Sequence, residues 1–147
     1  MKKQILAVAA SAVFSFAQAQ DIPSGQVPSV VLSSFSTDFP KAQDVEWEME
    51  GNLYVVDFET GWNLDHEGWY NAKGELVKHE EDIAPKDLPK TVSDRINKDF
   101  GSYTLDDLQR IENGDEVVYQ MELNALMQQD YDVVIDSSGN VVSQIAD

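Results

Sequence analysis

The residues with the clearest chemical potential are carboxylates at every second position of the chain. Glu46, Glu48 and Glu50 alternate with apolar side chains, and Asp57 and Glu59 follow the same spacing. Successive side chains of a strand point to opposite faces, so this spacing gathers the acids on one face of a sheet. The same alternation predicts further carboxylates on that face: Asp65, Glu67, Glu122, Asp130 and Asp132.

An acidic sheet face of this kind has three interpretations. Carboxylates opposed across a ladder repel each other by up to about 1 kcal/mol per pair. Solvent and salt, a basic partner, or a bound hard cation would each offset that repulsion. Ca²⁺ takes six to eight oxygen ligands and binds weak sites in exported proteins. The candidate calcium ligands are four acids: Asp57, Glu59, Asp65 and Glu67.

A second acidic segment, residues 136–140, superficially resembles a calcium loop. It lacks the bidentate Glu that such a loop carries at its twelfth position, where this chain has Asp147. The segment Asp136-Ser137-Ser138-Gly139 is instead predicted to be a tight hairpin turn, as is Asn71-Ala72-Lys73-Gly74.

Apolar side chains share the acidic face and suggest contacts with a protein. Val55, Trp69, Val118 and Val134 have the same parity as the acids, and Trp62 lies in the adjoining hairpin. Aromatic anchors in a polar surround are typical of protein interfaces, although Trp69 equally fits a plug between two halves. Trp47 has the opposite parity and is predicted to be core. The candidate contact set is Trp62, Trp69, Val55, Glu46, Glu48, Asp57, Glu59, Asp65 and Glu67.

Enzymatic chemistry finds little support in the sequence. The chain has no Cys, no Gly-x-Ser-x-Gly elbow and no paired-histidine metal motif. Its only histidines, His66 and His79, are predicted to be surface or turn residues. Carboxylate pairs could in principle cleave glycosidic bonds, so a hydrolase acting on glycans or the cell wall is the third alternative. No catalytic residue is predicted.

The acidic composition of the chain excludes some classes of binding partner. The 147 residues carry 27 Asp and Glu against 10 Lys and Arg, a formal net charge of −17. Such a field opposes binding to phosphate backbones and to anionic membrane surfaces. The sequence therefore predicts that the protein does not bind nucleic acid. It makes no prediction about the oligomeric state.

The N-terminus has the pattern of a secretory signal. Lys2 and Lys3 precede an apolar run, and Ala17-Gln18-Ala19 offers small residues at a cleavage site. Residues 1–19 are predicted to be removed, which leaves eight basic and 27 acidic residues, a net charge of −19. No later segment is apolar enough to span a bilayer. The product is expected to be soluble in the periplasm or secreted.

After a short tail, residues 20–26, the sequence repeats. Phe35 corresponds to Ile96 at a spacing of 61, and Tyr54 corresponds to Tyr119 at a spacing of 65. The two units are residues 27–86 and 87–147. Each opens with a proline and an apolar stripe at helical spacing, then changes to period two. This predicts an α+β fold with one helix and about four antiparallel strands per unit, and with the helices on one face of the sheet.

The order of these motifs resembles a known family. Val27-Pro28, Phe39-Pro40, Val45-Glu46-Trp47-Glu48 and Trp69-Tyr70-Asn71-Ala72-Lys73-Gly74 precede Leu88-Pro89 and a second pass. The chain thus resembles exported PepSY-like proteins whose fold is likened to the beta-lactamase inhibitor protein (BLIP).

The resemblance implies a tandem helix-plus-sheet fold in the periplasm, a binding or inhibitory role, and no catalytic residues. From the residues and the resemblance together, we expect a non-enzymatic, inhibitor-like binding protein. Its partner is expected to be another exported protein with a basic surface. The alternative is a calcium-regulated periplasmic protein.

Overall fold

The computed structural model of the protein describes residues 20–146, which form one antiparallel sheet and two helices. The predicted signal peptide, residues 1–19, lies outside the described residues. The helices are α1 (Ser29–Asp38) and α2 (Lys90–Asp99). The strands are β1 (Gln20–Asp21), β2 (Gln43–Glu50), β3 (Leu53–Thr60), β4 (Leu64–Tyr70), β5 (Leu76–Asp82), β6 (Thr104–Asn113), β7 (Glu116–Asn124), β8 (Tyr131–Asp136) and β9 (Val141–Ala146).

The sheet is a simple meander in which each strand pairs with the one before it in the chain. The order is β1 to β9 without a crossover, and all pairs are antiparallel. Each helix is followed by four strands, β2–β5 after α1 and β6–β9 after α2. The predicted tail is partly ordered, because Gln20 and Asp21 pair with β2 and extend the sheet.

Both helices begin directly after a proline, as predicted. Pro28 precedes α1 and Pro89 precedes α2, and a short 3-10 turn stands ahead of each. Proline suits a helix start because its missing amide hydrogen would have had no partner in the first turn. Each described helix has ten residues, well short of the length needed to cross a bilayer.

The core of the first half lies between α1 and β2–β4. Phe35 of α1 packs against Trp47, Phe58 and Tyr70, with ring centroids 5.1–6.4 Å apart. Trp47 is 5% exposed, which confirms its predicted place in the core. The Tyr70 hydroxyl donates a 2.9 Å hydrogen bond to Asp38, which ties the sheet to the end of the helix.

A second core lies under α2. Val92 and Ile96 of the helix belong to one buried cluster with the inward side chains of β6–β8. Those strand residues are Leu108, Tyr119, Met121, Leu123, Val133 and Ile135. Each half therefore buries its apolar strand positions against its own helix, as the period-two pattern predicted.

The two predicted hairpin turns contact the helices. Gly74 and Gly139 have φ of +81° and +85°, which an L side chain rarely adopts. A Cβ on Gly139 would lie 2.6 Å from the Thr91 carbonyl oxygen in α2, and one on Gly74 would lie 2.9 Å from that of Val30 in α1. The Asp136 carboxylate accepts hydrogen bonds from two backbone amides within its turn. Residues 136–140 thus form a hairpin turn, as predicted.

Candidate functional site

A row of four carboxylates crosses four neighbouring strands on the face opposite α1. Glu46 pairs with Asp57, Asp57 with Glu67, and Glu67 with Glu80. These four residues are called the acidic row below. Side chains directly opposite one another on adjacent strands lie about 4.5–5.5 Å apart at Cβ, so each acid faces another.

Two carboxyl groups of the acidic row, Asp57 and Glu67, have raised pKa values. Burial, reinforced by the charges of Asp57 and Glu80, raises the pKa of Glu67 to about 7. Burial and the neighbouring Glu46 also raise the pKa of Asp57. A cation or a cationic surface placed here would relieve the repulsion.

The four candidate calcium ligands form two opposed pairs. Asp57 faces Glu67, and Glu59 faces Asp65 one step nearer to the β3–β4 hairpin. The structure thus brings the predicted acids together on one part of the sheet. A small cavity of about 120 Å³ beside them is lined by Asp57, Asp65, His66, Glu67, Glu80, Glu81, Asp82 and Gln109.

The second half carries a comparable row. Asp106 pairs with Glu122, and Glu122 pairs with Asp132. Glu122 and Asp132 follow Asp57 and Glu67 at a spacing of 65 residues, the spacing that also separates Tyr54 and Tyr119. The acidic character of this face is therefore duplicated.

The predicted contact residues Val55 and Trp69 have the expected parity but are not exposed. They pair with each other across β3 and β4, and they are 0% and 6% exposed. The Trp69 indole donates a 2.9 Å hydrogen bond to Glu50, and the Lys78 ammonium lies 4.0 Å from the ring centroid. Long side chains of neighbouring strands cover apolar groups in this way. The expectation that Val55 is an exposed contact is therefore wrong, and of the two interpretations of Trp69 the exposed contact is wrong, whereas its burial agrees with the alternative of a plug.

The three most exposed large apolar residues of residues 20–146 lie instead at two hairpin tips. Trp62, between β3 and β4, is 96% exposed, as a contact role requires. Leu126 and Met127, between β7 and β8, are 104% and 97% exposed and were missed in the sequence. The signal that could have found them is the spacing of 65 residues in the predicted repeat, which separates Trp62 from Met127.

Both hairpin tips lie at the same end of the sheet. Connections of an antiparallel meander alternate between its two ends, and four strands separate these two loops in the order of the sheet. The Glu59–Asp65 pair adjoins the Trp62 hairpin, so an aromatic anchor lies beside carboxylates. This end of the sheet, with Trp62, Leu126, Met127 and the acids next to Trp62, is called the tip surface below.

The prediction that His66 and His79 are surface or turn residues is wrong. Both lie in strands, on β4 and β5, and His79 is 7% exposed. Their rings stack on each other and on Phe58, and the Phe39 ring lies tilted against His79. Polarity had suggested exposure, but strand parity places both imidazoles on the side of the sheet that packs against Phe39.

The raised pKa of Glu67 predicts how stability depends on pH. A carboxyl whose folded pKa exceeds its ordinary value of 4.5 favours folding when protonated, so this contribution is lost as pH rises from about 4.5 to 7. We expect Glu67→Gln to raise the free energy of unfolding at pH 8 by about 1–2 kcal/mol, since partial exposure and screening reduce the full effect. At pH 4.5 the gain should vanish.

Urea denaturation of wild type and variant at several pH values, in a chelating buffer, measures this difference. Glu116→Gln, which changes an exposed acid on β7, is the control and should leave the pH profile unchanged. A gain for Glu67→Gln that is the same at both pH values would contradict the assignment.

Comparison with known families gives a consistent result. The sequence matches one family model over residues 15–71 and again over residues 65–143; this family is described as "Putative beta-lactamase-inhibitor-like, PepSY-like". No curated protein sequence matches the chain.

Solved structures from Bacteroides share the fold. A BLIP-like protein from Bacteroides fragilis NCTC 9343 has a TM-score of 0.69 at 17% identity, over 85% of this chain and 87% of that one. A protein from Bacteroides eggerthii DSM 20697, described as "putative periplasmic", has 0.69 at 18%, over 82% and 88%. A DUF2874 family protein from Bacteroides uniformis ATCC 8492 has 0.68 at 16%, over 81% and 88%. These similarities show a BLIP-like fold.

Proposed function

Because the chain belongs to the PepSY-like, beta-lactamase-inhibitor-like family, we propose that it is an exported, non-enzymatic binding protein with an inhibitor-like role. Its partner is another exported protein, and its place of action is the periplasm or the cell exterior. The predicted signal peptide and a structural relative described as periplasmic support this location. The opposed carboxylates give no specific support to a hydrolase. Such pairs recur along the whole acidic row, so no single pair is distinguished as catalytic.

The observation that carries the proposal is the tip surface. An almost fully exposed Trp62 at one hairpin and the Leu126–Met127 pair at another give two apolar contact points at one end of the sheet. Tryptophan is among the residues that contribute most to binding energy in protein interfaces. A folded protein gains nothing in stability from exposing it, which favours a role in binding.

Charge indicates the kind of partner. The Glu59–Asp65 pair and the acidic row lie beside Trp62, and the formal net charge of the chain is −17. A partner with basic side chains around an apolar pocket would accept the Trp62 ring and relieve the carboxylate repulsion. Such complementarity speeds association and selects against acidic competitors.

We also infer that the two halves, residues 27–86 and 87–147, are copies of one unit whose helices cover the same face. The element order supports this, since each helix is followed by four strands. The ladder connects Trp47 through Val56, Gly68 and His79 to Glu112, with side chains on one side throughout. Tyr119 and Ile135 of the second core share that side.

The experiment that tests the binding role is capture from periplasmic extract on the immobilised mature chain. We expect a small set of basic exported proteins to be retained at about 0.05 M salt and released at about 0.5 M, because salt screens exposed charges. The same resin carrying an acidic protein of unrelated fold is the control. Identical retention on both resins would contradict a specific binding role.

A second candidate function is calcium-responsive binding, which the two opposed pairs Asp57–Glu67 and Glu59–Asp65 favour. Calcium bound to the folded state alone would stabilise it by about 1.4 kcal/mol at ten times the Kd. Thermal unfolding with increasing CaCl2 should then show a rising Tm that Asp57→Asn combined with Glu67→Gln abolishes. An unchanged Tm across millimolar calcium would exclude this function.

A further inference from the structure

The two histidines of the chain meet at the centre of the sheet. The Nδ1 atom of His66 lies 3.1 Å from the Nε2 atom of His79, and the Glu81 carboxylate lies 3.7 Å from the same Nδ1. One nitrogen from each ring and one oxygen of Glu81 all lie within 4.8 Å of one another. From this geometry we propose that His66, His79 and Glu81 bind a first-row divalent transition metal ion of the zinc class.

Strand pairing explains why these residues meet. His66 and Glu81 are directly opposed on β4 and β5, and His79 lies two residues before Glu81 on the same side of β5. Ligands on paired strands are held by the ladder, so little chain entropy is lost when an ion binds.

The distances suit one ion. Two donor atoms at about 2.0–2.1 Å from a tetrahedral zinc ion are about 3.3 Å apart. The two imidazole nitrogens are already 3.1 Å apart, and the Glu81 oxygen lies 3.7 Å from His66 Nδ1, in a set whose atoms all lie within 4.8 Å of one another. Two nitrogens and one carboxylate oxygen match the preference of zinc and its neighbours, whereas calcium prefers an all-oxygen set.

Neighbouring groups leave the required atoms available. Thr60 Oγ1 lies 2.7 Å from His66 Nε2, so the hydroxyl can accept a proton from Nε2, and in that tautomer the Nδ1 lone pair is left for an ion. Arg110 contacts one oxygen of Glu81 at 3.2 Å and leaves the other facing His66. For an ion to bind, His79 carries its proton on Nδ1. Partners that orient metal ligands in this way commonly contribute 10–100-fold to affinity.

The surroundings favour neutral imidazoles. Burial lowers the pKa of both His66 and His79, and the neutral ring is the form that binds metals. Phe39 and Phe58 shield one side of the pair.

The test is zinc titration of the chelator-treated mature protein by calorimetry in the presence of millimolar Mg²⁺, which occupies weak all-carboxylate sites. We expect one Zn²⁺ per chain, with affinity at least tenfold lower in His79→Gln and in Glu81→Gln. The matched control is Glu80→Gln, which changes the adjacent acid on the opposite face and should keep wild-type affinity. Cobalt(II) absorption provides a second readout, since nitrogen ligands alter its visible spectrum.

Circular dichroism shows which variants are folded. If His79→Gln or Glu81→Gln does not fold, His66→Gln is measured in its place. Zinc binding that survives both histidine changes in folded protein, or no binding at all, would overturn the proposal. Loss on Glu80→Gln together with retention on His79→Gln would assign the ion to the acidic row and also overturn it. The proposal does not rest on the binding role, so loss of partner capture leaves it unaffected.

Discussion

Phe35→Ala is expected to lower the free energy of unfolding by about 3–5 kcal/mol. Phe35 is 7% exposed and meets Trp47 and Phe58 edge to face, at 5.4 and 5.1 Å between centroids. Its removal loses the transfer free energy of the ring and leaves a cavity that rigid aromatic neighbours fill poorly. Since small domains have only about 5–15 kcal/mol in total, this is a large share of the stability.

Urea denaturation measures the effect, and Val30→Ala provides a control on the same helix. Val30 is 45% exposed, so its truncation should cost less than about 1 kcal/mol. Equal losses for the two variants would show that α1 does not pack on the sheet as described. Because zinc or calcium binding would add stability to the folded state, the measurement belongs in a chelating buffer.

Replacing the tip residues is expected to have the largest effect on function. Trp62→Ala should weaken partner binding by at least about 30-fold, because a central tryptophan commonly contributes 2 kcal/mol or more. Leu126→Ser combined with Met127→Ser should weaken it further if one partner covers both tips. Neither change should affect stability, since all three side chains are almost fully exposed.

Calorimetry with a partner captured from extract measures these affinities. Val142→Ser is the matched control, because Val142 is an exposed apolar residue on β9, remote from both tip loops in the chain. An affinity that falls equally for Val142→Ser and Trp62→Ala would show that general surface hydrophobicity, and not the tip surface, governs binding.

Local patterns in the sequence were sufficient for the elements. Pro28 and Pro89 mark the helix starts, and period-two alternation identifies the faces of β2, β3, β7 and β8. Trp47 and Trp69 show that alternation predicts the face of a side chain but not its burial. Parity is correct for both, but the burial of Trp69 depends on Glu50 and Lys78, whose approach follows from the pairing of other strands.

The histidine cluster could not be derived from alternation alone. Counting back by twos from Tyr70 places His66 on the inner side of β4, which was available from the sequence. Its contact with His79 requires the register of β4 on β5, and a register shift near Trp69 and Tyr70 changes that pairing. Shifts of this kind add or remove one residue and leave no clear trace in the composition.

Three members of the acidic row, Glu46, Asp57 and Glu67, were predicted to share a face of the sheet, whereas Glu80 and the alignment of the four acids were not predicted. Alternation gives the face of each acid, and only the strand register aligns Glu46, Asp57, Glu67 and Glu80 directly opposite one another. Burial raises the pKa of Glu67 most, and the aligned charges of Asp57 and Glu80, which no single strand could have indicated, raise it further.

Site-specific crosslinking tests the binding role most directly. A photoreactive amino acid is placed at position 62 in one variant and at position 142 in another, and each exported chain is irradiated in periplasmic extract. The account predicts a discrete adduct with another exported protein from position 62, which does not form when irradiation is carried out at high salt, and none from position 142. Adducts from position 142 alone, or the same adducts from both positions, would contradict it.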